Sequence, residues 1–304
     1  MTDRMAIVIP VHNRRNVTLN CLDQLQNLKK DGFCADIVII DDGSTDGTTE
    51  AISKEFPYVT VLKGDGNLWW AGGVNMGLEF ALNHGYDFIY VMNDDTELLP
   101  DSLQILYDTL KEYDNAVCSS VIMDREKNII VAGAGLTGFF KKERSQVSGK
   151  FHDSYSGRII KADTLATKSV LIPTVIAKKV GYFDAKHFPH NYSDFEYFIR
   201  VKEMGFSLLV NMDSHVYTER SDTNFHYLIL NKNLLEILKT FLDVKYGNHL
   251  KTLYNLSIKR EGIIIGPISF LFRLFPYIVW MGLKAVLPKK VLRKVLIRTG
   301  RIKE

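Results

Sequence analysis

Four short polar runs in the first hundred residues carry side chains able to do chemistry: Pro10-Val-His12-Asn13, Asp41-Asp42-Gly43-Ser44-Thr45-Asp46-Gly47, Lys63-Gly-Asp-Gly66-Asn67 and Asn93-Asp94-Asp95. Taken singly, the second run reads equally as a polar loop with a helix cap, and the fourth as a turn. Taken together they gather aspartates, and crowded carboxylates repel one another unless a cation or hydrogen-bond donors neutralise them. A divalent ion bridging carboxylate and diphosphate oxygens would do so, and oxygen ligands of this kind suit Mg²⁺ or Mn²⁺.

Each polar run follows an apolar, β-rich one. These lie at 6–11, 37–40, 59–62 and 88–92, with a fifth at 116–122. Helical spacing separates them: Leu22, Leu25 and Leu28 follow a candidate cap at Asn16, and Pro100-Asp101 opens Leu103, Leu106 and Leu110. The alternation predicts an α/β fold with a Rossmann-like, mostly parallel central sheet flanked by helices on both faces. Ligands of such sheets bind outside the carboxyl ends of the strands, so the polar runs fall along one rim. Beyond residue 123 the pattern loosens, a further helix is expected over 194–204, and from 227 onward the chain reads as a helical extension.

With 304 residues, 46% hydrophobic and 24% charged, the chain excludes disorder, collagen and a disulfide scaffold. Cys21, Cys34 and Cys118 lack metal-site spacing and read as small hydrophobes in a reducing, cytoplasmic protein. The net charge of +3 hides an asymmetry. Residues 284–304 hold eight Lys or Arg and one Glu, a net +7, so residues 1–283 carry −4.

The chain resembles the family 2 glycosyltransferases of the GT-A fold over about residues 5–220. The resemblance rests on four ordered motifs: Val8-Ile-Pro-Val-His-Asn13, Ile40-Asp-Asp-Gly-Ser-Thr-Asp-Gly47, Gly66-Asn67 through Ala71-Gly-Gly-Val-Asn75-Met-Gly77, and Asn93-Asp94-Asp95. The Gly-Asn-Leu-Trp-Trp-Ala-Gly-Gly wording is similar to bacterial members that include rhamnosyltransferases of cell-surface polysaccharide synthesis. The resemblance implies that Pro10, His12 and Asn13 line the nucleotide site and that Asp42 accepts the base's imide N–H. Such an acceptor favours uracil or thymine over cytosine, whose N3 is itself an acceptor. It further implies that Gly66, Asn67, Gly73 and Asn75 let backbone approach the nucleotide, although Gly73 and Asn75 equally suit a helix start with small residues. Asp95 takes the last position of the family's Asp-x-Asp metal motif, Asn93 replaces its first Asp, and Asp94 contacts ribose or sugar.

Of Trp69 and Trp70, one is expected in local packing and the other to stack on the sugar or shield the diphosphate from water, with Trp70 the candidate acceptor contact. Asp194, at a helix start in Asn191-Tyr-Ser-Asp194-Phe-Glu196, resembles the aspartate of the family's Glu-Asp motif, with Ser193 in place of Glu. By that resemblance it is the general base of an inverting transfer, held ionised by the helix N-terminus. Tyr192 and Glu196 are candidate acceptor contacts, with Arg200 as an alternative partner for Glu196; His187, His190, Phe139, Phe140 and Lys141 are placed near the acceptor too. Where the family often supplies a metal-ligating histidine this chain has Thr218, and His215, three residues earlier, is the candidate ligand or a packing histidine. Gly133-Ala-Gly-Leu-Thr-Gly138 matches a dinucleotide fingerprint by letter but lacks its context and reads as a loop.

The reading is therefore an inverting, metal-dependent glycosyltransferase using a UDP- or dTDP-sugar, with dTDP-rhamnose a candidate, and a glycan or polyprenyl-diphosphate-linked acceptor. The alternative is a catalytically silent carbohydrate-binding or scaffold protein of the same fold. Residues 1–226 form the expected catalytic domain, with nucleotide-sugar binding over about 1–115 and acceptor binding over about 116–226. Residues 227–304 form a basic helical segment that docks on the inner face of the plasma membrane or pairs subunits. Its longest apolar stretch, 262–287, is interrupted by Arg273, Pro276 and Lys284 and is not expected to span a membrane. Nucleic acid is a poor partner for an acidic body.

Overall fold

The computed structural model describes residues 2–137, 142–218, 225–299 and 301–302. Phe139, Phe140 and Lys141 lie outside the described residues. The chain forms two compact units: Met1–Ala185 with Ser193–Glu219, and Lys186–Tyr192 with Arg220–Glu304.

The first unit opens with β1 (Asp3–Val11), α1 (Arg15–Leu25), β2 (Phe33–Asp41), α2 (Thr48–Glu55), β3 (Thr60–Lys63), α3 (Trp69–Asn83) and β4 (Phe88–Met92). It continues through β5 (Glu97–Leu98), α4 (Ser102–Glu112), β6 (Ala116–Met123), β7 (Asn128–Val131), β8 (Ala134–Thr137), β9 (Lys142–Ser145) and β10 (Gly149–Lys150). It closes with β11 (Ile159–Lys161), β12 (Ser169–Pro173), α5 (Thr174–Val180), α6 (Ser193–Glu203) and β13 (Ser207–Tyr217).

The main sheet has the order β10-β7-β6-β12-β4-β1-β2-β3. Strands β3, β2, β1 and β4 run parallel. Strand β12 inserts antiparallel between β4 and β6, and β13 pairs with β6 in parallel. Alternation along β1 divides the core. Ala6 and Val8 pack with Val74 and Leu78 of α3, Ala177 of α5 and Phe198 of α6. Met5, Ile7 and Ile9 pack with Leu22 of α1, Ile52 of α2 and Leu106 of α4 on the other face. Two buried faces explain why the strands read as continuous apolar runs.

Two expectations change. Asn16 lies inside α1, and the helix start is served instead by Asp46, whose Oδ2 accepts the Arg15 backbone N–H at 2.9 Å. The Gly-rich segment at 133–138 is not a loop throughout, because Ala134–Thr137 pairs with Lys142–Ser145 as a hairpin.

The second unit contains α7 (Phe225–Asn231), α8 (Leu234–Thr240), α9 (Leu250–Val286) and α10 (Lys289–Arg298). Phe225, Leu228, Ile229, Ile237, Phe241, Leu292 and Leu296 form its core. Helix α9 is broken at Gly262, whose φ of 78° and ψ of 176° no helix accommodates. The chain doubles back there. A Cβ on Gly266 would stand 2.8 Å from Ile258 Cα, the Tyr254 and Phe270 rings meet at 5.6 Å, and buried Arg273 pairs with buried Glu261 at 3.2 Å. In an unbroken helix the last pair would be about 18 Å apart along the axis. Taken end to end, Leu250–Val286 is long and apolar enough by composition to cross a membrane, but it is two helices broken at Gly262. The Arg273 interruption is neutralised within the hairpin.

Candidate active site

The ends of β1 and β2 and the segment after β3 are tied into one frame. Gly43 and Gly66, with φ of 70° and 87°, let two loops cross, since a Cβ on Gly43 would stand 2.9 Å from Gly66 Cα. Buried Asp42 clamps the crossing: Oδ1 accepts the Gly66 N–H at 2.8 Å and Oδ2 the Trp69 N–H at 3.0 Å. His12 lies against the Asp42 carbonyl through Nδ1 at 2.6 Å and against Asn13 Nδ2 through Nε2 at 2.9 Å. The tautomer satisfying both carries its proton on Nδ1. Asn13 accepts the Thr45 N–H at 2.8 Å and, through its own N–H, reaches Ser44 Oγ at 2.8 Å. The Asn67 N–H closes a small turn onto Asp65 Oδ1 at 2.8 Å.

Several residues expected at the ligand also act as internal braces. Gly73 brings α3 close against β1: a Cβ there would meet Pro10 Cβ at 2.9 Å. Asn75 holds the Phe183 backbone at both ends, accepting its N–H and donating to its carbonyl, each at 2.8 Å. Trp70 donates its indole N–H to Asn93 Oδ1 at 2.9 Å and packs edge-on to Phe183, so it is the packed member of the pair. Trp69, at φ 56° and 43% exposed, is the one facing solvent. Glu196 is buried and forked by Arg200 at 2.7 and 3.1 Å, the partner offered as its alternative. His215 sits at the bulge of β13, its Nε2 2.6 Å from the Met212 carbonyl and its ring edge-on to Phe151. In the second unit, Tyr192 directs its hydroxyl to the Gly247 carbonyl at 3.2 Å, and burial lowers the pKa of His190.

What remains at the rim is a charged corner. Asp94 is buried, accepts Thr18 Oγ1 at 3.1 Å and pairs with Arg14 Nε at 3.2 Å. Burial pushes its carboxyl up to about 6, against the pull of Arg14 and with the Asp95 charge adding to the rise. Asp95 is flanked on both oxygens, by Arg14 at 3.5 Å and by Lys168 Nζ at 3.4 Å. Lys168 also donates to Thr218 Oγ1 at 3.0 Å, in the place where a histidine was sought. Among the described residues no three His, Cys, Asp or Glu side chains converge as a metal site. With Asp95 paired to two cations and a threonine facing it across Lys168, these residues do not fit the divalent ion that the motif resemblance implies.

Lys168 reaches the corner because β12 is antiparallel to β4. Ser169 is in register with Met92, so the residue before β12 meets the residues after β4. Buried hydroxyls anchor that start: Ser169 Oγ lies 2.7 Å from Tyr90 Oη and 2.6 Å from Ser120 Oγ. Neither Arg14 nor Lys168 belongs to a motif, and only non-local pairing reveals the second. Asp194 opens α6 in the same unit, its Oδ1 accepting the Phe195 N–H at 2.9 Å. Residues expected to carry the chemistry thus separate into a rigid frame, an ion-paired corner and a carboxylate at a helix N-terminus.

Comparison with known proteins places this arrangement. The family model for glycosyl transferase family 2 matches residues 6–164. Two relatives from Streptococcus pneumoniae serotype 4 align with part of the chain. Glycosyltransferase GlyA is 30% identical over 118 residues, 36% of this chain and 16% of its own length, and glycosyltransferase GlyG 26% identical over 117 residues, 38% and 37% respectively. The matched stretch is thus well under half of either relative. Among solved structures, GalNAc-T7 with UDP, GalNAc and Mn²⁺ superposes with a TM-score of 0.60 at 14% identity, covering 90% of this chain and 54% of the other. The mannosyltransferase PcManGT from Pyrobaculum calidifontis, in complex with GDP-Man and Mn²⁺, superposes at 0.52 and 14%, covering 99% and 89%. The sheet order, the ordered motifs and the matched family model together make the chain a member of glycosyl transferase family 2, a glycosyltransferase of the GT-A fold.

Proposed function

We propose that the chain transfers a sugar, with inversion, from a UDP- or dTDP-sugar to a glycan or polyprenyl-diphosphate-linked acceptor in cell-surface polysaccharide synthesis. Rhamnose carried on dTDP is one candidate donor. The observation that carries this reading is the Asp42 clamp at the carboxyl rim. Each Asp42 oxygen takes one backbone N–H and keeps further acceptor capacity, which suits the N3–H of uracil or thymine. The reaction forms a bond from the acceptor oxygen to the anomeric carbon as the bond to the diphosphate breaks, and Asp194 takes the acceptor's proton. Asp194 stands in the first turn of α6, where a helix N-terminus attracts negative charge. Calorimetry with nucleoside diphosphates tests the base reading: UDP or dTDP binding well ahead of CDP and GDP is expected, and equal binding of CDP would contradict it.

The second unit supports a membrane-surface location on the cytoplasmic side. Beyond Gly262 the hairpin exposes Ile263, Ile264, Leu271, Phe275 and Ile278, with Ile264 88% exposed, while α10 carries Lys289, Lys290, Arg293, Lys294 and Arg298. Apolar side chains and a cationic helix in one unit suit an anionic lipid surface.

A further inference from the structure

We propose that Lys168 and Arg14 supply the positive charge that holds the donor diphosphate and stabilises it as leaving group, and that donor binding is independent of a divalent ion. The inference rests on the glycosyl-transfer reading above and concerns how that site handles charge. Among the described residues two carboxylates, Asp94 and Asp95, meet two cations, Arg14 and Lys168, at 3.2 to 3.5 Å, so these four charges balance before any ligand arrives. A neutral corner has little electrostatic attraction for Mg²⁺ or Mn²⁺, and a metal at Asp95 would face both cations at close range. Both cations retain capacity for an anion. The ammonium group has three donors, of which Asp95 and Thr218 engage two, and the guanidinium has five. Their side chains are 29% and 41% exposed, open enough to meet a ligand at the rim.

The two cations are held from different directions. Arg14 precedes α1 at the carboxyl end of β1, and Lys168 precedes β12, whose first residue is fixed by the buried Tyr90, Ser169 and Ser120 hydroxyls. In the transfer, the acceptor oxygen bonds to the anomeric carbon while the carbon–oxygen bond to the β-phosphate breaks. The electron pair of that bond stays on the diphosphate, and the acceptor's proton passes to Asp194. The developing charge falls where preorganised donors are most effective, and fixed ammonium and guanidinium groups require no reorganisation there. Lys168 also explains Thr218. Its hydroxyl accepts from the ammonium at 3.0 Å and so helps aim it.

The test is calorimetric binding of UDP and dTDP to the full chain, in EDTA and with added Mg²⁺ or Mn²⁺. Wild-type protein is expected to bind in EDTA with an affinity that metal changes by less than about threefold. Lys168→Ala is expected to weaken binding in EDTA by about tenfold or more, and Lys168→Arg to restore most of it. Thermal melts of the variants establish that they are folded, so a loss of binding by Lys168→Ala is read at the site. Binding by wild type that disappears in EDTA and returns with Mn²⁺, or Lys168→Ala binding as wild type does, would overturn the inference while leaving glycosyl transfer standing. If neither nucleotide bound under any condition, the donor reading itself would fail, and this inference with it.

Discussion

At the scale of single residues, the motif side chains mainly hold the rim together, and the atoms facing a ligand are fewer than the motifs suggest. His12, Asn13, Asp42 and Asn93 were legible from their positions after strands, but their partners were not, because loop crossings such as Gly43 over Gly66 are set by non-local geometry. Asp42→Ala is expected to leave the Gly66 and Trp69 N–H groups without their acceptor. That should cost about 1–3 kcal/mol in urea unfolding and weaken UDP or dTDP binding as well. Unchanged stability would contradict the clamp. Trp70→Phe keeps the packing against Phe183 but removes the bond to Asn93, so its effect should be smaller, about 1 kcal/mol. Cys21 and Cys118 are buried, with burial pushing each thiol up to about 12, whereas Cys34 is exposed, against its expected place as a small hydrophobe. Thiol labelling of the folded chain should therefore modify Cys34 alone.

At the scale of elements, the parallel half was legible because each strand is buried on both faces and ends in a polar run. The reversal of β12 was not, since an antiparallel insertion carries no local signature, and with it went Lys168. Helix α3 packs on β1 through Gly77, where a Cβ would stand 2.3 Å from Val8 Cγ1. Gly77→Ala is thus expected to destabilise by about 1–3 kcal/mol through overpacking, measurable by denaturant titration. In the helical unit, burial lowers the pKa of His226 to about 4, with the Arg301 charge acting in the same direction. A histidine depressed below its ordinary value contributes stability above about pH 6.5 that is lost as pH falls towards 4. His226→Phe should flatten that loss in melts taken across this range, and an unchanged acid profile would contradict the assignment.

For the whole molecule, the basic tail at 284–304 lies within the second unit, which also holds the apolar hairpin, whereas the charged rim lies in the first. The tail's composition was legible; the turn at Gly262 and the Arg273–Glu261 pair that precede it were not, because both depend on the chain folding back. Vesicle sedimentation tests the second unit. Binding is expected to anionic vesicles, reduced by high salt and by Ile264→Asp, and equal binding to neutral vesicles would count against charge-assisted docking. The first unit has a more direct test, turnover of a panel of UDP-, dTDP- and GDP-sugars by wild type and by Asp194→Asn. The expected result is UDP or dTDP released by wild type and not by Asp194→Asn, with nucleotide binding the same in both. Turnover by Asp194→Asn at the wild-type rate, or release of GDP alone, would contradict the account.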